Sequence, residues 1–298
     1  MVYRNLSGYF RERYHGKIRK ICIDGGFTCP NRDGTCGLGG CIFCGGRGAG
    51  EHISAAGLSV SNQVKEFFSQ NPKADGFIAY FQSFTNTYAP VDELRRRYDA
   101  ALIDNRIIAL AFGTRPDCIT EEIAALLREY AEKYDVWVEL GLQTANDETA
   151  KRINRGYPSS VFADAVGILS RYQIPVVAHI IIGLPGEGDA ELAETVAFLN
   201  RFPIWGIKIH SIYVMQNTAL AQLYQTGAYV PPTMEEYAAR AAYVLCHIPS
   251  EIVIHRLTGD CPEGLLLAPE WNRDKNAVIS RITRIMTDNG WTQGCLCK

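Results

Sequence analysis

Six short apolar runs, separated by five stretches of helical period, constrain this chain more than any other feature. The runs at residues 21–24, 76–81, 107–112, 136–142, 176–182 and 206–212 are rich in β-branched and aromatic residues and mostly apolar on both faces. That is the pattern of strands covered on two sides. Between them, residues 61–70, 91–105, 120–133, 160–172 and 189–201 read as amphipathic helices. Thr120-Glu121-Glu122-Ile123 and Asp189-Ala190-Glu191-Leu192 open two of these with a capping residue and acids in the first turn. Strands that alternate with helices run parallel, because each helical crossover returns the chain to the same end of the sheet. The choice is between an open doubly wound sheet and a whole or partial (β/α) barrel, and 298 residues at 47% hydrophobic suit a barrel.

In either architecture the functional residues gather beyond the C-terminal ends of the strands. The second strand is followed there by Gln82, Ser83 and Thr85, the third by Thr114, Arg115 and Asp117, and the fourth by Gln143 and Thr144. The fifth leads into Gly183-Leu184-Pro185-Gly186-Glu187 and the sixth into Ser211, Tyr213, Met215 and Gln216. After the first strand comes a loop with Cys29, Cys36, Cys41 and Cys44 among closely spaced glycines. Cys41 and Cys44 form a C-x-x-C pair, which can place two thiolates on one metal or cluster, and no second such pair completes a zinc ribbon. Three thiolates leave a coordination position open, as in a four-iron cluster with one iron free for a small molecule. Cys29, Cys41 and Cys44 are the expected ligands, with Cys36 a rival and Phe43 a shield against water; zinc stays the alternative metal.

Ten cysteines in a long chain, half of them crowded between Cys22 and Cys44, fit reduced metal-binding thiols better than a disulfide scaffold. No apolar stretch is long enough for a membrane span and the N-terminus lacks the apolar core of a signal peptide, so a cytoplasmic protein is expected. The net charge of −2 argues against bulk binding of a polyanion, although Arg11, Arg13, His15, Lys17, Arg19 and Lys20 make one local basic patch.

These residues carry a resemblance. The cysteine loop ending Cys41-Ile42-Phe43-Cys44, the segment Val138-Glu139-Leu140-Gly141-Leu142-Gln143 and the turn Ile182-Gly183-Leu184-Pro185-Gly186-Glu187 resemble the radical S-adenosylmethionine (SAM) superfamily. Gly25-Gly26-Phe27-Thr28-Cys29-Pro30-Asn31-Arg32-Asp33-Gly34 and Gly113-Thr114-Arg115-Pro116-Asp117-Cys118 are similar to its YhcC-type family over nearly the whole chain. Thr114 to Asp117 and Glu139 to Gln143 also resemble the radical SAM core of the Elongator catalytic subunit. The spacing of eleven residues between Cys29 and Cys41 departs from the superfamily's usual three.

The resemblance implies a partial TIM-type (β/α)6 barrel over residues 21–215, a basic arm over 1–20 and a helical C-terminal extension over 216–298 flanking the barrel. Within the extension the sequence predicts a helix at 233–246, a short strand at 252–255 and a helix at 276–288. It implies a [4Fe-4S] cluster on Cys29, Cys41 and Cys44, reductive cleavage of SAM to a 5′-deoxyadenosyl radical, and an electron donor of flavodoxin or ferredoxin type. Gln82, Ser83, Thr114, Gln143, Arg155, His179, Gly183 and Pro185 fall where relatives contact SAM, although Arg155 could equally pair with a carboxylate and His179 could be a core residue. Arg115 and Asp117 are expected to form a mutual ion pair. Lys208 and His210 share one face of the sixth strand by its two-residue period, toward the interior, and are the expected catalytic residues. The Elongator resemblance points to tRNA, at the side chain of the wobble uridine; a small-molecule or protein substrate, or a metal-binding module without catalysis, are the alternatives.

Overall fold

The computed structural model describes residues 2–48, 50, 51, 53 and 57–297. The chain runs α1 (Leu6–Tyr14), β1 (Ile18–Ile23), α2 (Val60–Gln70), β2 (Gly76–Phe81), α3 (Val91–Asp99), β3 (Ile107–Thr114), α4 (Glu121–Ala131) and β4 (Asp135–Gln143). It continues α5 (Asp147–Arg152), α6 (Ser159–Arg171), β5 (Val176–Ile182), α7 (Asp189–Leu199), β6 (Gly206–Ser211), β7 (Val214–Met215) and α8 (Ala219–Gln225). The last elements are α9 (Met234–His247), β8 (Val253–Arg256), β9 (Leu266–Ala268) and α10 (Lys275–Asp288). All six expected strands are present. They pair in parallel in the order β1-β2-β3-β4-β5-β6, and β8, from the expected extension, adds a seventh parallel strand beside β6. Strands β7 and β9 form a separate antiparallel ribbon.

The sheet curls into a half-barrel. Side chains of β2, β4 and β6 meet at one point, where Lys208 Nζ donates to Tyr80 Oη at 2.8 Å and Tyr80 Oη donates to Glu139 Oε2 at 2.6 Å. Strand alternation divides each strand between two apolar layers. Ile21, Phe81, Phe112, Val138, Ile180 and Ile209 face the helices, whereas Ile78, Ala109, Ala111, Trp137 and Val177 fill the base of the interior. Strands β1 and β8 do not pair with each other, so the barrel stays open along one seam.

Residues 6–14 make a helix across the base of that seam. Asn5 caps it through Oδ1, which accepts from Gly8 N at 2.8 Å. The rings of Tyr9 and Phe10 pack against Trp205 and Trp137 near the N-terminal ends of β6 and β4, and Arg13 and Tyr14 both donate to Asp135 at the start of β4. The C-terminal segment clasps the same place: Gln293 N donates to Val2 O, Arg4 N donates to Gln293 Oε1, and Gln293 Nε2 reaches the carbonyls of Pro249 and Ile252. Helix α7 starts differently from the expectation. Gly188 is its cap, with its N–H held by Glu191, and Asp189 instead pairs with Arg240 of α9. Helix α3 stops at Asp99 rather than 105, where Asp104 captures Arg106 in a tight turn. No helix among the described residues is long and apolar enough to cross a membrane.

Candidate active site

The cysteine loop leaves the C-terminal end of β1 as a pinned hairpin. Arg32 N donates to Cys29 O at 2.8 Å, and Asp33 bridges Leu38 across the turn. The hairpin is tied to the segment after α5: buried Asn31 donates to Asn154 O at 2.6 Å, Asn154 Nδ2 donates to Gly40 O at 2.8 Å, and Ile42 N donates to Ile153 O. Gly40 turns the chain back with φ +79°, a conformation that favours glycine. The spacer of eleven residues therefore folds away, and Cys29, Cys41 and Cys44 line one cavity at the barrel mouth. Cys36 sits out on the hairpin, exposed, with Sγ 3.9 Å from Asp117 Oδ2, and does not line the cavity.

The surroundings of the three thiols suit an anionic thiolate cluster. The hydrogen bond between Cys44 and Cys41 holds the Cys41 thiol below its ordinary range against burial, with Arg115, Asn31 and Arg155 adding to the effect, while the same bond and burial push the Cys44 thiol up. Arg32 donates to the carbonyls of Cys44 and Gly45 at 3.2 and 2.5 Å. Arg115 and Asp117 form the expected ion pair, at 2.6 Å, while Arg115 Nη1 donates to Arg155 O at 3.0 Å and both guanidinium groups stack on Tyr157.

Of the other expected residues, Phe43, Gln82, Thr114, Gln143, Arg155, His179, Lys208 and His210 line the same cavity. Gln143 Oε1 and His179 Nε2 are buried there with no hydrogen-bond partner among the described residues. Such orphaned atoms mark places for a ligand or water. Burial, helped by the Lys208 charge, pushes His179 down to about 3, and burial beside His179 and Arg256 holds His210 well below the imidazole range, so both rings are neutral at pH 7. Arg155 is braced by backbone, donating to the carbonyls of Leu142, Thr144 and Tyr157 and to Asp147. Ser83, Gly183 and Pro185 are not among the residues lining the cavity. Ser83 lies under Gly50, where an added Cβ would meet its Oγ at 1.7 Å. Gly183 has φ +96° and a carbonyl that takes the Tyr229 hydroxyl at 2.6 Å, and Pro185 O accepts from Arg152 at 2.8 Å.

The middle of the barrel holds a charged knot whose acid had no assigned role in the sequence. Glu139 is buried on β4 and forms an ion pair with Lys208; it also accepts from Tyr80 and, at 3.3 Å, from Trp137 Nε1. Lys20 stands 3.6 Å and His255 3.7 Å from Oε1, the oxygen that Trp137 reaches. Burial pushes the Glu139 carboxyl up, but Lys208 and then Lys20 overcome it and hold it well below the carboxylate range. Burial also pushes Lys208 down to about 8, against the attraction of Glu139. A charge inside an otherwise apolar strand was the signal for this site. Tyr80 could be found by its alternation with Gln82 on β2, whereas Arg256, Tyr157 and Asp260, which also line the cavity, carried no such mark.

A parallel half-barrel with three thiols grouped at the C-terminal ends of its strands defines a class. The Radical SAM superfamily model matches residues 31–199 and the Radical_SAM C-terminal domain model residues 204–288, and the chain belongs to the radical SAM superfamily. It is a radical SAM enzyme, and its cofactors are a [4Fe-4S] cluster and SAM. Along nearly its whole length it is similar to protein YhcC of Escherichia coli, 34% identical over 96% of this chain and 92% of that one. It is 35% identical to YtqA of Bacillus subtilis over 98% of this chain and 92% of that one. A shorter similarity, 31% identity over 55% of this chain and 36% of the other, is to a tRNA uridine(34) acetyltransferase of Dehalococcoides mccartyi. Among solved structures, Elp3 of Methanocaldococcus infernus shares the fold with a TM-score of 0.72 at 16% identity, over 93% of this chain and 64% of that one.

Proposed function

We propose that Cys29, Cys41 and Cys44 hold the [4Fe-4S] cluster and that the cavity behind them binds SAM and the substrate. The observation that carries this is the convergence of these three thiols, and not Cys36, on the cavity that also contains the orphaned Gln143 and His179 atoms. Held there and reduced by a flavodoxin- or ferredoxin-type donor, the cluster and SAM would supply radical chemistry for hydrogen abstraction from the substrate. The chain's part is to position and to exclude water. Gln143 and His179 offer neutral polar atoms to SAM, with Gln82 and Thr114 beside them. Phe43 shields the cysteines, and the Arg115–Tyr157–Arg155 stack keeps positive charge beside anionic sulfur. Lys208 and His210 lie deeper, where a substrate would meet them. Anaerobic reconstitution with iron and sulfide, then dithionite and SAM, tests this reading: 5′-deoxyadenosine is expected, and four bound irons without it would end the proposal.

The substrate reading is the wobble uridine side chain of tRNA, in the cytoplasm. Its support is the partial similarity to proteins named tRNA uridine(34) acetyltransferases. The basic arm lends it less than the sequence suggested: α1 lies at the base of the barrel, opposite the cysteines, Arg13 is taken by Asp135, and Lys20 faces the Glu139 knot. Comparison of modified nucleosides in tRNA from cells with and without the gene tests it, and an unchanged profile would count against it.

A further inference from the structure

The seam between β1 and β8 gives the barrel a side wall with surplus positive charge. The register between β6 and β8 slips between Ile207 and Lys208, so that Ile207 faces Ile254 but Lys208 faces Arg256. A bulge of this kind puts two consecutive residues on one face. His255 accordingly packs its ring on Trp137 and Trp205 inside the barrel, while Arg256, the next residue, also lines the cavity. Across the seam, Lys20 and Cys22 of β1 point inward, and the Cys22 thiol lies within electrostatic reach of Lys20, Lys208 and Arg256 together.

Among the described residues two carboxylates face these three cations at the seam, and one of them is shared with a fourth cation. Glu139 is engaged by Lys208, Tyr80 and Trp137 and stands 3.6 Å from Lys20. Asp260 is 2.5 Å from Lys275 and only 3.7 Å from Arg256. Arg256 and Lys20 keep side chains 37% and 24% exposed at the seam, open to a ligand that enters there. The neutral imidazoles of His179 and His210 add no competing charge.

We propose that Arg256, Lys20 and Lys208 form an oxyanion subsite at the β1–β8 seam, which anchors a carboxylate or phosphate group of the substrate beyond the SAM site. This rests on the cavity being the substrate chamber of the enzyme proposed above. Arg256 supplies a planar fork of N–H donors suited to either oxyanion, and Lys20 supplies a point charge on the opposite edge.

The test is calorimetric titration of the reconstituted protein, without SAM, with inorganic phosphate in one arm and acetate in the other. Saturable binding in at least one arm is expected. Arg256→Gln should weaken it at least about tenfold, the loss of one charge-assisted contact, and Arg256→Lys, which keeps the charge but loses the fork, should bind more weakly than the wild type and more tightly than Arg256→Gln. Binding of phosphate alone assigns a phosphate-bearing substrate, and binding of acetate alone a carboxylic acid. No saturable binding in either arm, equal binding by the Arg256→Gln protein with an unchanged melting temperature, or one-for-one displacement of the anion by SAM would overturn the subsite. The last outcome would mean that these cations serve the SAM carboxylate. Formation of 5′-deoxyadenosine by the same preparation is read separately, so Arg256-dependent anion binding without SAM cleavage would remove the enzymatic reading and leave the subsite.

Discussion

Replacing Glu139 by glutamine tests the charged knot at the centre of the barrel. The change keeps the shape and can still accept from Tyr80 or Trp137, but it removes the negative charge that faces Lys208 in a site where the carboxylate side chain is 3% exposed. Stranding one member of a buried ion pair costs about 3–5 kcal/mol. At roughly 2–3 °C per kcal/mol for a chain of this size, the melting temperature should fall by roughly 6–15 °C. The loss should depend on pH in a definite direction. Lys208, already pushed down to about 8, would fall further without its partner and could escape by releasing its proton. The variant should therefore suffer more at pH 6, where the lysine resists deprotonation, than at pH 9, where it is neutral. Thermal melts of wild type, Glu139→Gln, Lys208→Met and the double variant at both pH values give the coupling between the two residues. The double variant should recover most of the loss, since a buried pair replaced by uncharged groups is close to neutral in stability. A single variant that melts within about 2 °C of wild type at both pH values would refute the knot as a source of stability.

Serine at Cys29, Cys41 or Cys44 should each abolish the thiolate-to-iron absorbance of the reconstituted protein, and serine at Cys36 should leave it intact; loss with Cys36→Ser would overturn the ligand choice. The buried histidines make the apo chain acid-sensitive. His179 at about 3, His255 at about 4 and His210 well below the ordinary range stay neutral in the fold but take up protons in the unfolded chain below its pKa of about 6.5. Their stabilisation is present above that pH and lost as pH falls, while Glu187, raised by burial to about 6, works the other way between about 6 and 4.5. Urea unfolding should show a net loss of about 3 kcal/mol between pH 7 and 5.5; a flat profile would contradict the buried neutral rings. Gly183→Ala should destabilise by about 2–4 kcal/mol, read as a melting shift, because φ is +96° and the added Cβ would stand 2.7 Å from Ile212 and 2.8 Å from Pro232.

Local pattern was enough for most of the fold. The six apolar runs became β1 to β6 because a strand covered on both faces has little choice but to be apolar throughout, and the helix starts at Thr120 and Thr233 announced themselves through their caps. Helix α1 was missed because its helical pattern is weak: its useful side chains are Tyr9 and Phe10, whose partners Trp205 and Trp137 are distant in sequence. The strand at Val253–Arg256 was expected, but its membership of the main sheet was not, since four residues do not specify a neighbour. The candidate site divides in the same way. Cysteine spacing carried the grouping of Cys29, Cys41 and Cys44, and strand alternation carried Lys208 and His210. Arg256 depends on a slip in register, and the outward path of Cys36 depends on the hydrogen bonds of Asn31 and Asn154; neither leaves a trace in composition or period.

The clasp between Gln293 and the first residues has a kinetic consequence. Each of the six strand pairs from β1 to β8 can form as soon as its second strand is available, so the half-barrel can grow from its N-terminal edge. Sealing of the base cannot, because Val2, Arg4 and Gln293 meet across almost the entire chain. Contacts of such separation carry the largest closure entropy and form late. Until α1 is pinned there, Trp137 and Trp205 would stand without the cover of Phe10 and Tyr9, and the earliest compact state of this protein would be a barrel with an apolar hole in its floor.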